Sequence, residues 1–314
     1  MDLDNLTMRP IAGREELGLF NQLPYVLNEE FAGDLTQGHR RPEWMWAALR
    51  GDRLLARVAW WSRPGDDAPF LLDVLDVNDN LPGPERLSVG VRLLHTAMAA
   101  ALPAGSPRPL YSRFVPPGWR ESGLTRQAVQ DRMTILERTG ARPFVERLRL
   151  EWLPGTPVPP PGGRLFFRPV QDTGELLTLM TRALDGTLDA HSHDELTRMS
   201  AREAAVSHYQ GELARYTSPK DWWQIACLPT GTPAGFVIPA RNDYNPIIAY
   251  LAVLPEHRGN GYVNDILVEG TRILARHDVP RIRASTDLGN TPMANAFQRA
   301  GWVNFGREIK MTWS

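Results

Sequence analysis

The chain has 314 residues, 42% of them hydrophobic and 23% charged, with 35 Lys and Arg against 36 Asp and Glu. That length holds two ordinary domains, and a formal net charge of -1 gives no bulk field to recommend nucleic acid or an anionic membrane as partner. A single cysteine excludes an internal disulfide framework, and no window reaches the ~18 apolar residues of a membrane span.

The N-terminal stretch MDLDNLTMRP lacks the basic flank and apolar segment of a signal peptide. With Cys227 inside the apolar run WWQIACLP, this predicts a cytoplasmic protein. From Met8 the chain reads MRPIAGREEL. The segment WMWAALRGDRLLARVAWW follows, and Trp44, Trp46, Trp60 and Trp61 are expected as core and hairpin residues of a sheet rather than a platform for stacking bases. RTGARPFVERLRLEW closes this half at Trp152. LPGTPVPPPGGR then reads as a Pro/Gly-rich linker over residues 153–163. Beyond it the chain starts again. FRPVQDTGEL matches MRPIAGREEL through Arg9/Arg168, Pro10/Pro169, Glu16/Glu175 and Leu17/Leu176. RAGWVNFGREIKMTW matches the earlier ending through Arg138/Arg299, Gly140/Gly301, Phe144/Phe305 and Trp152/Trp313. Two matched ends imply a tandem repeat, with domains at 1–152 and 164–314.

In the second half GRLFFRPV is a strand, and DTGELLTLMTRAL and DELTRMSAREAAVSHYQGELARY are helices. Asp172 opens the first with Glu175 three residues on, the spacing of a capping box. WWQIACLP and PAGFVIPAR form an antiparallel pair across the turn TGT. IIAYLAVL is a continuous apolar strand, followed by a helix with Val263, Ile266, Leu267, Gly270, Ile273 and Leu274 on one face. PRIRAST is the next strand, and Met293, Ala296, Phe297 and Ala300 mark a last helix that Gly301 ends. The fold class is α+β, two repeats of a twisted mixed sheet flanked by helices.

Between strand and helix stands VLPEHRGNGY. The N-terminus of a helix offers N–H groups without intrahelical partners and a partial positive charge. Gly259 and Gly261 let successive N–H groups converge and let a phosphate approach, while Arg258 is expected to add charge at the mouth. A diphosphate is the ligand such a cradle suits. The pattern is neither a P-loop nor a dinucleotide fingerprint.

The segment resembles the pyrophosphate loop of the GNAT superfamily of N-acetyltransferases, V-x-P-x-x-R-G-x-G, through Val253, Pro255, Arg258, Gly259 and Gly261. A second family signature is met by Asn290, Met293, Gly301 and Trp302. The resemblance covers residues 164–314, and the two-repeat layout is similar to that of tandem GNAT proteins of the mycothiol synthase kind. It implies acetyl-CoA as co-substrate, with the backbone of Ala252 and Val253 pairing with the pantetheine arm. Arg258, Gly259, Asn260, Gly261, Tyr262 and Val263 would hold the pyrophosphate, and Asn290 and Phe297 would border the thioester. Two positions depart from the pattern: Val263 replaces the usual Gly or Ala, and Phe297 replaces a tyrosine that protonates the leaving thiolate. The first half has LDVNDNLPGPERLSVGV at the corresponding place, where Asp76 and Asp79 would repel a diphosphate and Leu87 and Ser88 follow Arg86. That half is expected to be a degenerate repeat.

The resemblance implies a glutamate on the strand before the cradle, and none stands there; Asp287, Asp243 and Tyr250 are candidate catalytic groups, with capping of the last helix as the alternative for Asp287 and a solvated turn for Asp243. DAHSHDE, with His191, His193, Asp194 and Glu195, is expected as a solvated helix-start loop rather than a metal site, and the resemblance implies that this region, between the first two helices, lines the acceptor site. The expected function is transfer of an acetyl group to a primary amine of a small molecule by direct attack, without metal, nucleic acid or membrane, by a monomer or homodimer. A non-catalytic acyl-CoA-binding sensor is the alternative.

Overall fold

The computed structural model describes residues 5–160 and 162–313, so the first four residues of the N-terminal stretch read for a leader, and Pro161 of the expected linker, lie outside the described residues. Two compact units divide the chain. One runs up to Glu146 and takes back the segment from Glu308; the other is Arg147–Arg307.

The first unit holds β1 (Thr7–Pro10), α1 (Leu17–Phe20), α2 (Phe31–Gln37), β2 (Met45–Arg50), β3 (Arg53–Trp61), β4 (Leu71–Val77), α3 (Gly83–Ala101), β5 (Leu110–Val115), α4 (Gly123–Arg138) and the start of β6 (Arg142–Trp152). The second continues β6 and adds β7 (Phe166–Pro169), α5 (Thr173–Ala183), α6 (Ala190–Leu196), α7 (Ala201–Gly211), β8 (Gln224–Cys227), β9 (Pro233–Arg241), β10 (Pro246–Val253), α8 (Tyr262–Ala275), β11 (Ile282–Asp287), α9 (Thr291–Arg299) and the start of β12 (Val303–Thr312). Strand order is β1-β2-β3-β4-β5 in one unit and β7-β8-β9-β10-β11 in the other. In both, the last pair named is parallel and the rest antiparallel.

The matched residues of the two repeats do matching work. Arg9 pairs with Glu16 at 2.6 Å and Arg168 with Glu175 at 2.5 Å. In each case the glutamate also accepts a backbone N–H, from Ala12 at 2.7 Å and from Gln171 at 3.0 Å. Gly140 and Gly301, just past α4 and α9, both take positive φ. The last strands are exchanged. β6 pairs antiparallel with β11 from Ile282–Trp152 to Asp287–Arg147, while the end of β12 belongs to the first unit. Compact units therefore differ from the sequence repeats 1–152 and 164–314 because a strand joins whichever sheet edge satisfies its backbone groups.

Residues 153–160 of the expected linker belong to the second unit, where the Pro159 carbonyl accepts from Arg272 at 2.8 Å. Two local expectations are corrected. The helix expected from Asp194 is two, α6 and α7, because Ser200 caps the second with Glu203 in a reciprocal capping box. Asp172 does cap α5 through Glu175 N at 2.8 Å, but the Glu175 carboxylate turns to Arg168 rather than back to the cap.

Each face of the second sheet has its own core. Val237, Ile248, Ile266, Leu267 and Leu274 pack on the α8 and α9 side; Leu176, Met180, Ala205, Phe236 and Ile238 pack on the α5 and α7 side. Alternation along β9 produces this division. Gly270 lets α8 lie close, since a Cβ there would stand 2.6 Å from Val237. In the first unit Trp44, Trp46 and Trp60 are core residues, as expected.

Candidate active site

The site grows from a strand that leaves its neighbour. β10 carries a bulge at Ala249, where its register on β9 moves from Ile248–Pro239 to Tyr250–Ile238. Its parallel pairing with β11 is the single pair Ile247–Arg283, so toward Val253 the two strands are split. Leu254 N donates to Ala234 O at 2.9 Å. Antiparallel alternation then turns Ala252's polar groups to β9 and those of Leu251 and Val253 to the split. An arm pairing with this edge would meet Leu251 and Val253, not the expected Ala252 and Val253.

Beyond β10 a 3-10 turn, Pro255–His257, leads into the cradle. Gly259 has φ +82° and Gly261 φ +72°, left-handed values that non-glycine residues adopt at a cost. Gly261 is the N-cap of α8 and supplies no side chain to its first N–H groups. A Cβ on Gly259 would meet no atom within 4 Å, so the space before the turn is open. Val263 packs on the α8–α9 core, which leaves its N–H in the first turn unobstructed. Asn260 braces the loop from within through the His257 carbonyl at 3.1 Å.

Arg258 does something other than expected. Its guanidinium donates to Ala183 O (2.8 Å), Asp185 O (2.7 Å), Gly186 O (3.2 Å) and Val253 O (3.2 Å). It ties the cradle to the carbonyl end of α5, where a cation is favoured, and is a positioning residue. The cation that lies against the glycine turn is Arg164, which donates to Asn260 O at 3.0 Å and Gly261 O at 3.4 Å, pairs with Asp265 and stacks 5.3 Å over Tyr262. Sequence reading missed it because Arg164 stands nearly a hundred residues before the loop it touches.

The candidate acid–base residues separate. Asp287 is 3% exposed, pairs with Arg147 Nε at 3.0 Å and accepts Ala190 N, the first residue of α6, at 2.6 Å. Its carboxylate ties the end of β11 to Arg147 and to the start of α6. Asp243 lies in the exposed β9–β10 turn, beyond the start of a strand whose other end leads to the cradle. An eight-residue strand puts ~26 Å between those ends. Asn290 caps α9 through Met293 N at 3.3 Å. Phe297, expected beside the thioester, is 2% exposed in the core and edge-on to Trp302 at 5.0 Å. Tyr250 does face a polar group of residues: His208 stacks on it at 4.9 Å, and burial foremost, then the carboxylates of Asp189 and Glu195, push its hydroxyl upward.

The resemblance points to this region as the acceptor side, but not to His208 on Tyr250 or to the burial of Glu195. Burial pushes Glu195 above the ordinary carboxylate range against the opposing influence of His208. Asp189 caps α6 through Ser192 N at 2.8 Å; burial would raise it, but Arg147 and the Ser192 hydrogen bonds hold it lower. His208 Nε2 lies 3.5 Å from Glu212. Leu188 and Leu288, adjoining Asp189 and Asp287, are 58% and 41% exposed and give this wall an apolar rim. Among the described residues no three His, Cys, Asp or Glu side chains converge as a metal site, and no helix is long and apolar enough to cross a membrane.

Residues 189–302 match the acetyltransferase (GNAT) family model. No curated protein matches the chain. Among solved structures, a GCN5-related N-acetyltransferase from Sphaerobacter thermophilus superposes with a TM-score of 0.60 at 16% identity, over 98% of this chain and 95% of that one. A tandem GNAT protein from the clavulanic acid biosynthesis pathway gives 0.53 at 16% identity, over 98% of each chain. A GCN5-related N-acetyltransferase from Kribbella flavida gives 0.52 at 12% identity, over 92% and 96%. These likenesses establish the fold across nearly the whole chain, and with it the tandem arrangement.

Proposed function

With residues 189–302 a domain of the GNAT acetyltransferase family, we propose that this chain transfers an acetyl group from acetyl-CoA to a primary amine of a small molecule. The observation that carries the reading is the split of β10 from β11 continuing into an open, glycine-turned helix N-terminus. The edge at Leu251 and Val253, whose Val253 carbonyl Arg258 already engages, suits the amide groups of an extended arm, and the N–H groups from Gly259 to Val263, with Arg164 beside them, suit a diphosphate. An arm fixed at both places delivers its thioester beside Tyr250. The acceptor then enters past α6 and α7, where Asp189, Glu195 and Glu212 favour a cation and Leu188 and Leu288 favour an apolar body. Holding amine and thioester in contact supplies most of the acceleration, so direct attack needs no covalent enzyme intermediate.

Acetyl-CoA is expected to raise Tm, and incubation with acetyl-CoA and a panel of alkyl and arylalkyl primary amines is expected to yield N-acetylated product by mass spectrometry. Absence of any Tm shift overturns the reading. The alternative, an acyl-CoA-binding sensor without turnover, draws support from Asp287's engagement with Arg147 and from the apolar Phe297. Binding with no product from any amine would favour it.

A further inference from the structure

This inference rests on acetyl transfer to an amine and concerns the group that takes the amine's proton. An alkylamine near neutral pH is an ammonium ion without a lone pair, so attack requires a base. The groups expected from the sequence do not serve: Asp287 holds Arg147 and the start of α6, Asp243 lies at the far end of β10, and a phenol with its proton held, as in Tyr250, accepts none.

We propose that Glu195, on the wall that α6 and α7 form beside Tyr250, is the proton acceptor at the split between β10 and β11. Three ties place it there. Asp287, at the end of β11, accepts the first N–H of α6. Glu195 lies on the last turn of that same short helix. His208, on α7, stacks flat on Tyr250, the residue after the β10 bulge, and interacts with Glu195. The charged groups that act most on Glu195 are His208, Asp189, Asp194 and Arg198, of which the last two pair with each other, while His208 also lies 3.5 Å from Glu212. Among them the half-buried Glu195 is the carboxylate whose proton affinity is raised, with burial the main cause. It is thus a better base than an exposed carboxylate and still attracts the ammonium.

The ammonium gives one proton to the Glu195 carboxylate. Its freed lone pair forms the C–N bond, the C–S bond breaks with its electron pair on sulfur, and the amine's second proton passes to solvent as the thiolate is protonated from water. The thiolate is a good enough leaving group to depart without a tyrosine at position 297.

The test uses the full chain, acetyl-CoA and 2-phenylethylamine, with pH–rate profiles for wild type, Glu195→Gln, Glu195→Asp and His208→Gln. Glu195→Gln is expected to lower kcat ~100-fold or more and to remove the acidic limb, with the acetyl-CoA Tm shift retained. Glu195→Asp should keep an acidic limb. His208→Gln should move that limb to higher pH, since His208 opposes the rise at Glu195, a change that loss of packing alone would not produce. A wild-type rate and limb in Glu195→Gln overturns the assignment while acetyl transfer stands. A wild-type chain that binds acetyl-CoA and acetylates none of the amine panel overturns this inference together with the enzymatic reading.

Discussion

The two repeats build the same turn of chain and put opposite charges in it. In the first unit β4 also carries a bulge, at Asp73, and also runs parallel to its neighbour over two pairs, Leu71–Leu110 and Leu72–Tyr111. The link from β4 to α3 is three residues shorter than that from β10 to α8 and ends on Pro82 rather than a glycine. Asp79 occupies it, held by Arg132 at 2.5 and 3.2 Å, and Arg86 donates to the Asp79 and Leu81 carbonyls and pairs with Asp131 at 2.6 Å. Farther back, Asp76 is buried among Arg57, Arg113 and Arg132. In the first repeat internal carboxylates pair with these cations, whereas the corresponding turn of the second is open before its glycines.

The strongest way to break this contrast is Asp76→Asn, which leaves three guanidinium groups around an uncharged side chain. We expect a loss of ~3–5 kcal/mol in chemical denaturation. A loss under ~1 kcal/mol would show that the charge network does not hold the first unit together. Next in size, Gly261→Val should abolish the acetyl-CoA Tm shift, since a β-branched residue resists φ +72° and its side chain enters the cradle. Gly83→Ala, at the start of α3, should leave the shift intact, and calorimetry should find one acetyl-CoA per chain. Two sites would refute the contrast.

Smaller effects test the shared scaffold. Glu16→Gln and Glu175→Gln should each cost ~1 kcal/mol, because the two clamps are equivalent and partly exposed. Arg9, with help from the Ala12 N–H, holds Glu16 down to about 2, and Arg168 lowers Glu175 likewise. A depressed carboxylate stabilises the fold above its ordinary value and loses that contribution as the pH falls through its folded value. The Glu16 contribution should thus persist at pH 5 and fade from there to about pH 2, as denaturation of the wild type and Glu16→Gln across that range would reveal. Smallest of all, Asp243→Asn should change stability by under ~0.5 kcal/mol and leave turnover unaltered.

Much of this was legible in the chain. Helix faces such as Ile266, Leu267, Gly270, Ile273 and Leu274 follow from a period of 3.6, and the α8 stripe is buried as that period predicts. The glycines of the cradle were readable because a left-handed turn before a helix narrows the choice of residue. Arg9/Glu16 and Arg168/Glu175 were visible as matches in sequence, though not as clamps.

Side-chain destinations were not legible. Arg258 looked like the cradle's cation because it precedes the glycines, yet its reach brings it to the carbonyls at the end of α5. Arg164, from the far side of three helices and four strands, takes the position against the turn. Asp287 appeared catalytic from its place at a strand end until Arg147, on a strand from the other repeat, was found beside it. Local sequence determined most helices and strands of the second half, the matched repeat ends and the backbone turn, because those depend on periodicity and on which residues tolerate a given φ. Tertiary structure decided which charges meet, which carboxylate is half-buried and which strand closes each sheet, because electrostatic energy and desolvation depend on distances in space that chain order does not fix.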